Sequence, residues 1–187
     1  MTTMSTVSVH PGEEVPSAAP TAAAVSIRPA GRADVDAIDR LVAANVGPGM
    51  LLPRSTADIL RHVARFLVAT RGGEVIGCGE LGPLSKTMSE VRSLVVDAAE
   101  RGGGIGSRLL AAVVAGGRRQ GASRVCAFTH IPRAFVAQGF SIVPHTWLPE
   151  KIMTDCQACE SFRRCAQYAV VIELGGSRGR GPRRGSP

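Results

Sequence analysis

No stretch of the chain approaches the roughly 18 consecutive apolar residues that a membrane-spanning helix needs, so no span is expected. Residues 1–24, rich in Ala, Ser, Thr, Pro and Val, lack a basic start followed by a sustained apolar run, and do not read as a secretory leader. Cysteine is too sparse for a disulfide framework: five residues, an odd number, in a chain without a leader fit reduced thiols and a cytoplasmic setting. Acids are missing from 175–187, where Arg178, Arg180, Arg183 and Arg184 stand among glycines, whereas 1–24 carries only Glu13 and Glu14. Of the net +7 the body between these ends therefore holds +5, which suits an anionic ligand and is also ordinary for a soluble protein. The ends are expected to be disordered tails, 1–24 and 175–187, flanking one domain over 25–174. A disordered solubilising tail is the commoner state of a short Gly/Arg segment, so nucleic-acid binding is not assigned to it.

What is present centres on one stretch. The apolar run Leu94-Val95-Val96 gives way to Asp97-Ala98-Ala99-Glu100, then Arg101 and the glycines Gly102, Gly103, Gly104 and Gly106; Ile105, Leu109 and Val113 then recur at helical spacing. This reads as strand, glycine loop and helix, an arrangement whose free backbone N–H groups and helix dipole favour an anion. The loop has no Gly-Lys-Ser/Thr ending, which argues against nucleoside triphosphate hydrolysis. Its place far from the first strand, without an acidic residue some 20 positions on, argues against a dinucleotide fold.

In chain order, the alternation Val25 to Pro29 predicts a strand, and Val35, Ile38, Leu41 and Val42 a helix ending near Asn45 and Gly47. An exposed loop follows over Gly47–Arg54, and Ser55 is a plausible N-cap for a short second helix. The runs Phe66–Thr70 and Val75–Leu81 around Gly72-Gly73 predict a hairpin. Strands are expected at Glu90–Val96, Arg124–Thr129 and Tyr168–Leu174, with helices over Gly104–Gln120 and from Pro132. The order is mixed α/β, an α+β mixed sheet, in a single domain.

Arg101-x-x-Gly104-x-Gly106, together with this element order and Ala134-Phe135-x-x-x-Gly139-Phe140, resembles the GNAT N-acetyltransferase family over residues 25–174. Leu51-Leu52-Pro53-Arg54-Ser55, Glu90-Val91-Arg92-Ser93-Leu94 and Leu148-Pro149-Glu150-Lys151-Ile152, followed by Asp155-Cys156-x-x-Cys159-x5-Cys165, are similar to the short stand-alone N-acetylglutamate synthases of arginine biosynthesis. The resemblance implies acetyl transfer from acetyl-CoA to the α-amino group of glutamate or glutamine. It implies a cofactor-binding stretch of Leu94, Val95, Val96, Arg101, Gly102, Gly103, Gly104, Ile105, Gly106 and Ser107. Two other readings are carried: a GNAT enzyme for another amine, a protein N-terminus or lysine, and a non-catalytic acyl-CoA-binding regulatory module. The expected partners are small molecules, with no nucleic acid, no membrane and a homodimer left open.

An ammonium group must lose a proton before it attacks a thioester, and a carboxylate can take it. Alternation places Glu90, Arg92 and Leu94 on one strand face, and the resemblance implies a base at Glu90, with Glu80 on the neighbouring strand as the alternative. Arg54, Arg92, Lys151 and Thr129 are the candidate acceptor-binding residues, since a guanidinium fork matches a carboxylate. Many family members protonate the leaving thiolate with a tyrosine after the fifth strand; here the only tyrosine, Tyr168, falls in the last strand, and no acid is assigned among Thr129, His130 and solvent. Cys156, Cys159 and Cys165 supply three of the four ligands a structural zinc wants, with His145 or Asp155 needed to complete it; packed thiols are the default, and no metal is required. Cys78 and Cys126 fall in apolar strand patterns and are expected in the core.

Overall fold

The computed structural model describes residues 23–46, 51–157 and 159–175. The expected tails therefore lie outside the described residues except at 23–24 and at Gly175, and so do the first four residues of the Gly47–Arg54 loop.

Seven strands form one sheet in the order β1-β2-β3-β4-β5-β7-β6. They are β1 (Ser26–Pro29), β2 (Phe66–Arg71), β3 (Glu74–Pro83), β4 (Met88–Val96), β5 (Arg124–Thr129), β6 (Ser141–Val143) and β7 (Tyr168–Glu173). Every pairing is antiparallel except β4 with β5. β2 and β3 join through Gly72 and Gly73, both at positive φ, as the Gly-Gly hairpin signal requires.

Helices cover both faces. On one side α1 (Val35–Val46) and α2 (Thr56–Arg61) bury Ile38, Val42 and Ile59 against Phe66, Val68, Cys78 and Val95. Ser55 caps α2 by accepting from the Asp58 N–H at 3.2 Å. On the other side α3 (Ile105–Arg119) lays Leu110, Val113 and Val114 on Leu81, Val91 and Val125, joined by Phe135 of α4 (Pro132–Val136). The α3 axis comes close to the sheet at Gly117, where a Cβ would stand 2.9 Å from Val125 Cγ2. A helical coil beginning with α5 (Pro149–Lys151) continues as a π-helical turn over Ile152–Cys156, which lacked any clear periodicity in the sequence.

β1 is tied to the start of α1 by a fork: Arg28 Nη1 and Nη2 each donate to Asp34 at 2.8 Å, and the Gly31 N–H donates to the same carboxylate at 2.8 Å. Arg28 and the Gly31 amide outweigh burial and hold the Asp34 carboxyl below its ordinary value. A carboxyl whose folded pKa is depressed stabilises the fold fully above its unfolded value, near 3.9, and stops doing so as pH falls through the folded value. Asp34→Asn should therefore lower stability by about 1–2 kcal/mol at pH 7 in denaturant melts, a modest figure because Arg28 is half-exposed, and the gap to wild type should close as pH falls through the depressed folded value.

Candidate functional site

The parallel ladder between β4 and β5 lasts only from Met88–Arg124 to Glu90–Cys126. Beyond it the strands part, and a cleft of about 1020 Å³ opens between Val91–Val96 on one side and Phe128, Thr129 and His130 on the other. Opposite Gly79 the β3–β4 register slips by one residue at Ser93, whose φ is +47°, a left-handed value uncommon outside glycine. Arg54 Nη1 donates to Ser93 Oγ at 3.3 Å, and the Cys78 thiol to the Ser93 carbonyl at 3.5 Å.

This bulge corrects one expectation. Glu90 and Arg92 do share a face, but the extra residue turns Leu94 to the other side, onto α3, where its Cδ1 would meet a Cβ at Gly79 at 3.1 Å. Val95 takes the place on the α1 face beside Cys78. Serine carries no sequence mark of the left-handed conformation, so strict alternation could not foresee the switch.

At the far end of β4 the glycine loop enters α3. Gly104 is the N-cap at φ +75°, and having no side chain it offers no oxygen to the first-turn N–H groups of Ile105, Gly106 and Ser107, which face the cleft unclaimed by an intrahelical acceptor. A Cβ at Gly102 or Gly104 would meet no protein atom within 4 Å, so the space over the loop is open. Arg101 braces the loop, its Nε donating to the Val96 carbonyl at 3.1 Å and Nη2 to buried Asn45 at 2.9 Å. Dipole, amides and Arg101 together suit a pyrophosphate-like anion. Leu94, Val95, Val96, Arg101, Gly102, Gly104, Ile105, Gly106 and Ser107 line the cleft, whereas Gly103 does not.

At the other end the cleft is charged. Glu90, 3% exposed, accepts from Arg92 Nε at 2.5 Å and from Lys151 Nζ at 2.8 Å on Oε1 and 2.9 Å on Oε2. Lys151 Nζ also donates to Asp155 Oδ2 at 2.7 Å, and Arg92 Nη2 donates to the same oxygen. Burial works to lower the pKa of Arg92 and of Lys151, but Glu90 and Asp155 outweigh it and hold both above their ordinary values. A carboxylate offers about four lone-pair sites, so these three contacts leave Glu90 one, on Oε1. Arg54 lines the cleft beside this group, forked onto Asp58 at 2.9 and 2.5 Å and paired with Glu80. Glu80 is 1% exposed, is paired with Arg54 and is not part of the cleft lining.

Thr129 lines the cleft, but its Oγ1 accepts from the Ile131 N–H at 3.0 Å. Tyr168 lies outside the lining. In the sequence Asp155 was considered only as a ligand completing a zinc site and Ser93 was given no role; the four-residue spacing of Lys151 and Asp155 on a helical coil was the available signal for the pairing of the first. Cys156, Cys159 and Cys165 line the same end, but among the described residues no three His, Cys, Asp or Glu side chains converge as a metal would require. Cys78 and Cys126 are fully buried, and burial pushes both thiols up to about 12.

Residues 46–140 match the model of the Acetyltransferase (GNAT) family. An uncharacterized N-acetyltransferase of Chlorobaculum tepidum is 33% identical over 153 residues, 82% of this chain and 99% of its own length. The amino-acid acetyltransferase of Mycobacterium tuberculosis is 30% identical over 73% of this chain and 78% of that protein. Among solved structures, the N-acetylglutamate synthase of Neisseria gonorrhoeae, complexed with coenzyme A and N-acetyl-glutamate, is 28% identical with a TM-score of 0.74 over 83% of this chain. The present chain spans 36% of that synthase.

Proposed function

The chain belongs to the GNAT family of acetyltransferases, and from that membership we propose that it acetylates the α-amino group of L-glutamate or L-glutamine, the first step of arginine biosynthesis. Acetyl-CoA is the acyl donor, in keeping with the coenzyme A held by solved relatives. The observation that carries the choice of acceptor is the gathering of three cations, Arg54, Arg92 and Lys151, at the end of the cleft away from the glycine loop, with the buried carboxylate Glu90 among them and Asp58 and Asp155 beside it. Cations suit an acceptor that bears carboxylate, and the carboxylate suits its ammonium group.

In this reading the loop amides and Arg101 hold the pyrophosphate of the donor. Glu90 takes a proton from the acceptor ammonium, directly or through water, through its remaining lone pair. The freed amine attacks the thioester carbonyl and the N–C bond forms; the nitrogen then gives its second surplus proton to water, and collapse of the tetrahedral intermediate breaks the C–S bond to leave the neutral amide. The sulfur leaves as thiolate and is protonated from solvent or from the neighbourhood of Thr129 and His130.

Thiol release on mixing the protein with acetyl-CoA and glutamate, glutamine, ornithine or lysine tests the proposal. Turnover with one of the first two is expected; turnover confined to ornithine or lysine would move the acceptor class, and none with any amine despite coenzyme A binding would leave a binding module. Arg92→Ala should raise the KM of the amino acid by about 10- to 100-fold with that of acetyl-CoA unchanged, the effect of losing one charge-assisted contact. The reverse pattern in steady-state kinetics would place Arg92 on the donor side.

A further inference from the structure

The group Glu90, Arg92, Lys151 and Asp155 contains two fixed cations, one fixed anion and one loosely held anion. Arg92 and Glu90 are anchored on β4 in the middle of the sheet. Lys151 is 8% exposed, with its ammonium over the Phe128 ring at 5.7 Å and against both oxygens of Glu90. Asp155 differs: its side chain is 36% exposed, and it sits on the π-helical turn Ile152–Cys156, none of whose residues is buried. The turn closes through the Gln157 N–H to Ile152 carbonyl bond at 3.2 Å, a π-type geometry that is rare and found mostly as single turns. The Asp155 carboxylate is held in the cleft by its contacts with Arg92 and Lys151.

We propose that Asp155 is an internal stand-in for the acceptor's carboxylate: it occupies the Arg92–Lys151 pair in the free protein and yields that place to a carboxylate of the incoming amino acid. The inference rests on the carboxylate-bearing acceptor proposed above and adds where one carboxylate docks and what it displaces. Its basis is charge balance. With Asp155 in place the two cations face two anions, so a further carboxylate entering beside them would be uncompensated and partly desolvated, a costly state. Exchange keeps the group neutral before and after binding. Asp155 is thus a specificity-determining residue: it sets the cost of occupying the cation pair, so that a neutral side chain or a bare amine cannot displace it and a carboxylate can.

Calorimetric titration of wild type and Asp155→Asn with glutarate, in the presence of coenzyme A, reads the exchange without presuming acetyl transfer. Asp155→Asn should bind glutarate about fivefold more tightly, the effect of removing one partly exposed competing ion pair. It should bind glutaramide, which has the same length and no charge, no better than wild type does. Equal or weaker glutarate binding overturns the proposal, and so does tighter binding of both probes, which marks a general loosening of the cleft. Wild type supplies a second reading that needs no variant. Glutarate should speed amide hydrogen exchange across Ile152–Cys156, because the turn loses its anchor, and slowed or unchanged exchange there contradicts displacement. If glutarate binding tightens but neither glutamate nor glutamine is acetylated, the acceptor assignment fails and the carboxylate exchange stands; if the amino acids are acetylated without tightening, the reverse holds.

Discussion

Glu90→Gln should lower kcat by about 10²- to 10⁴-fold at neutral pH, the range spanned by positioned general bases, with coenzyme A binding unchanged. The amide keeps the size of the side chain and one acceptor oxygen, but it cannot take up a proton. A pH profile separates this role from positioning: as pH climbs past the acceptor's own amine pKa, the substrate arrives already deprotonated and the deficit should shrink. A deficit that stays constant across the profile would make Glu90 an organiser of Arg92 and Lys151 and not the base. Glu80→Gln is the informative counterpart. Glu80 is buried and paired with Arg54, so its replacement should appear in thermal stability, by about 3–5 kcal/mol for a broken buried pair, and not in the pH dependence of turnover.

Gly104→Val should reduce kcat/KM for acetyl-CoA by about 100-fold, the equivalent of roughly 3 kcal/mol from two misdirected charge-assisted contacts. A side chain at residue 104 would meet no protein atom, so packing inside the fold does not oppose it. The penalty has two other sources. The backbone stands at φ +75°, which costs an L-residue about 1–2 kcal/mol and a β-branched one more. The new methyl groups would also stand over the loop, in front of the Ile105 and Gly106 amides. Steady-state kinetics with acetyl-CoA varied at saturating acceptor checks the outcome, and a KM within threefold or so of wild type would show that the amide cradle contributes little.

The glycine loop was legible in the sequence because its determinants are local: a strand end, residues without side chains and a helical repeat within one short segment. The hairpin at Gly72-Gly73 and the Ser55 cap were legible for the same reason. The bulge at Ser93 was not, since any residue can be forced into it by the neighbouring strand and only the register of β3 against β4 reveals it. Nor was the charged group legible as a unit. Lys151 and Glu90 lie 61 residues apart, and Asp155 and Arg92 63 apart, so residue types could nominate Glu90, Arg92 and Lys151 singly while leaving Asp155 unrecognised as their fourth member. Periodicity likewise nominated Glu90 and its rival Glu80 on adjacent strands without showing that Glu90 lines the cleft and that Glu80 is paired with Arg54 outside its lining.

The early parting of β4 from β5 also leaves hydrogen-bonding capacity inside the sheet. Past Glu90 and Cys126 both strands carry backbone edges that no ladder continues among the described residues, and such edges elsewhere invite pairing with another chain. Here the two edges face one another across the cleft, whose lining includes the start of α3 on one side and residues of the Pro149–Cys156 coil on the other. The same hydrogen-bonding capacity that would be an aggregation hazard at the rim of a sheet therefore lies, at its centre, where a guest of the cleft can use it.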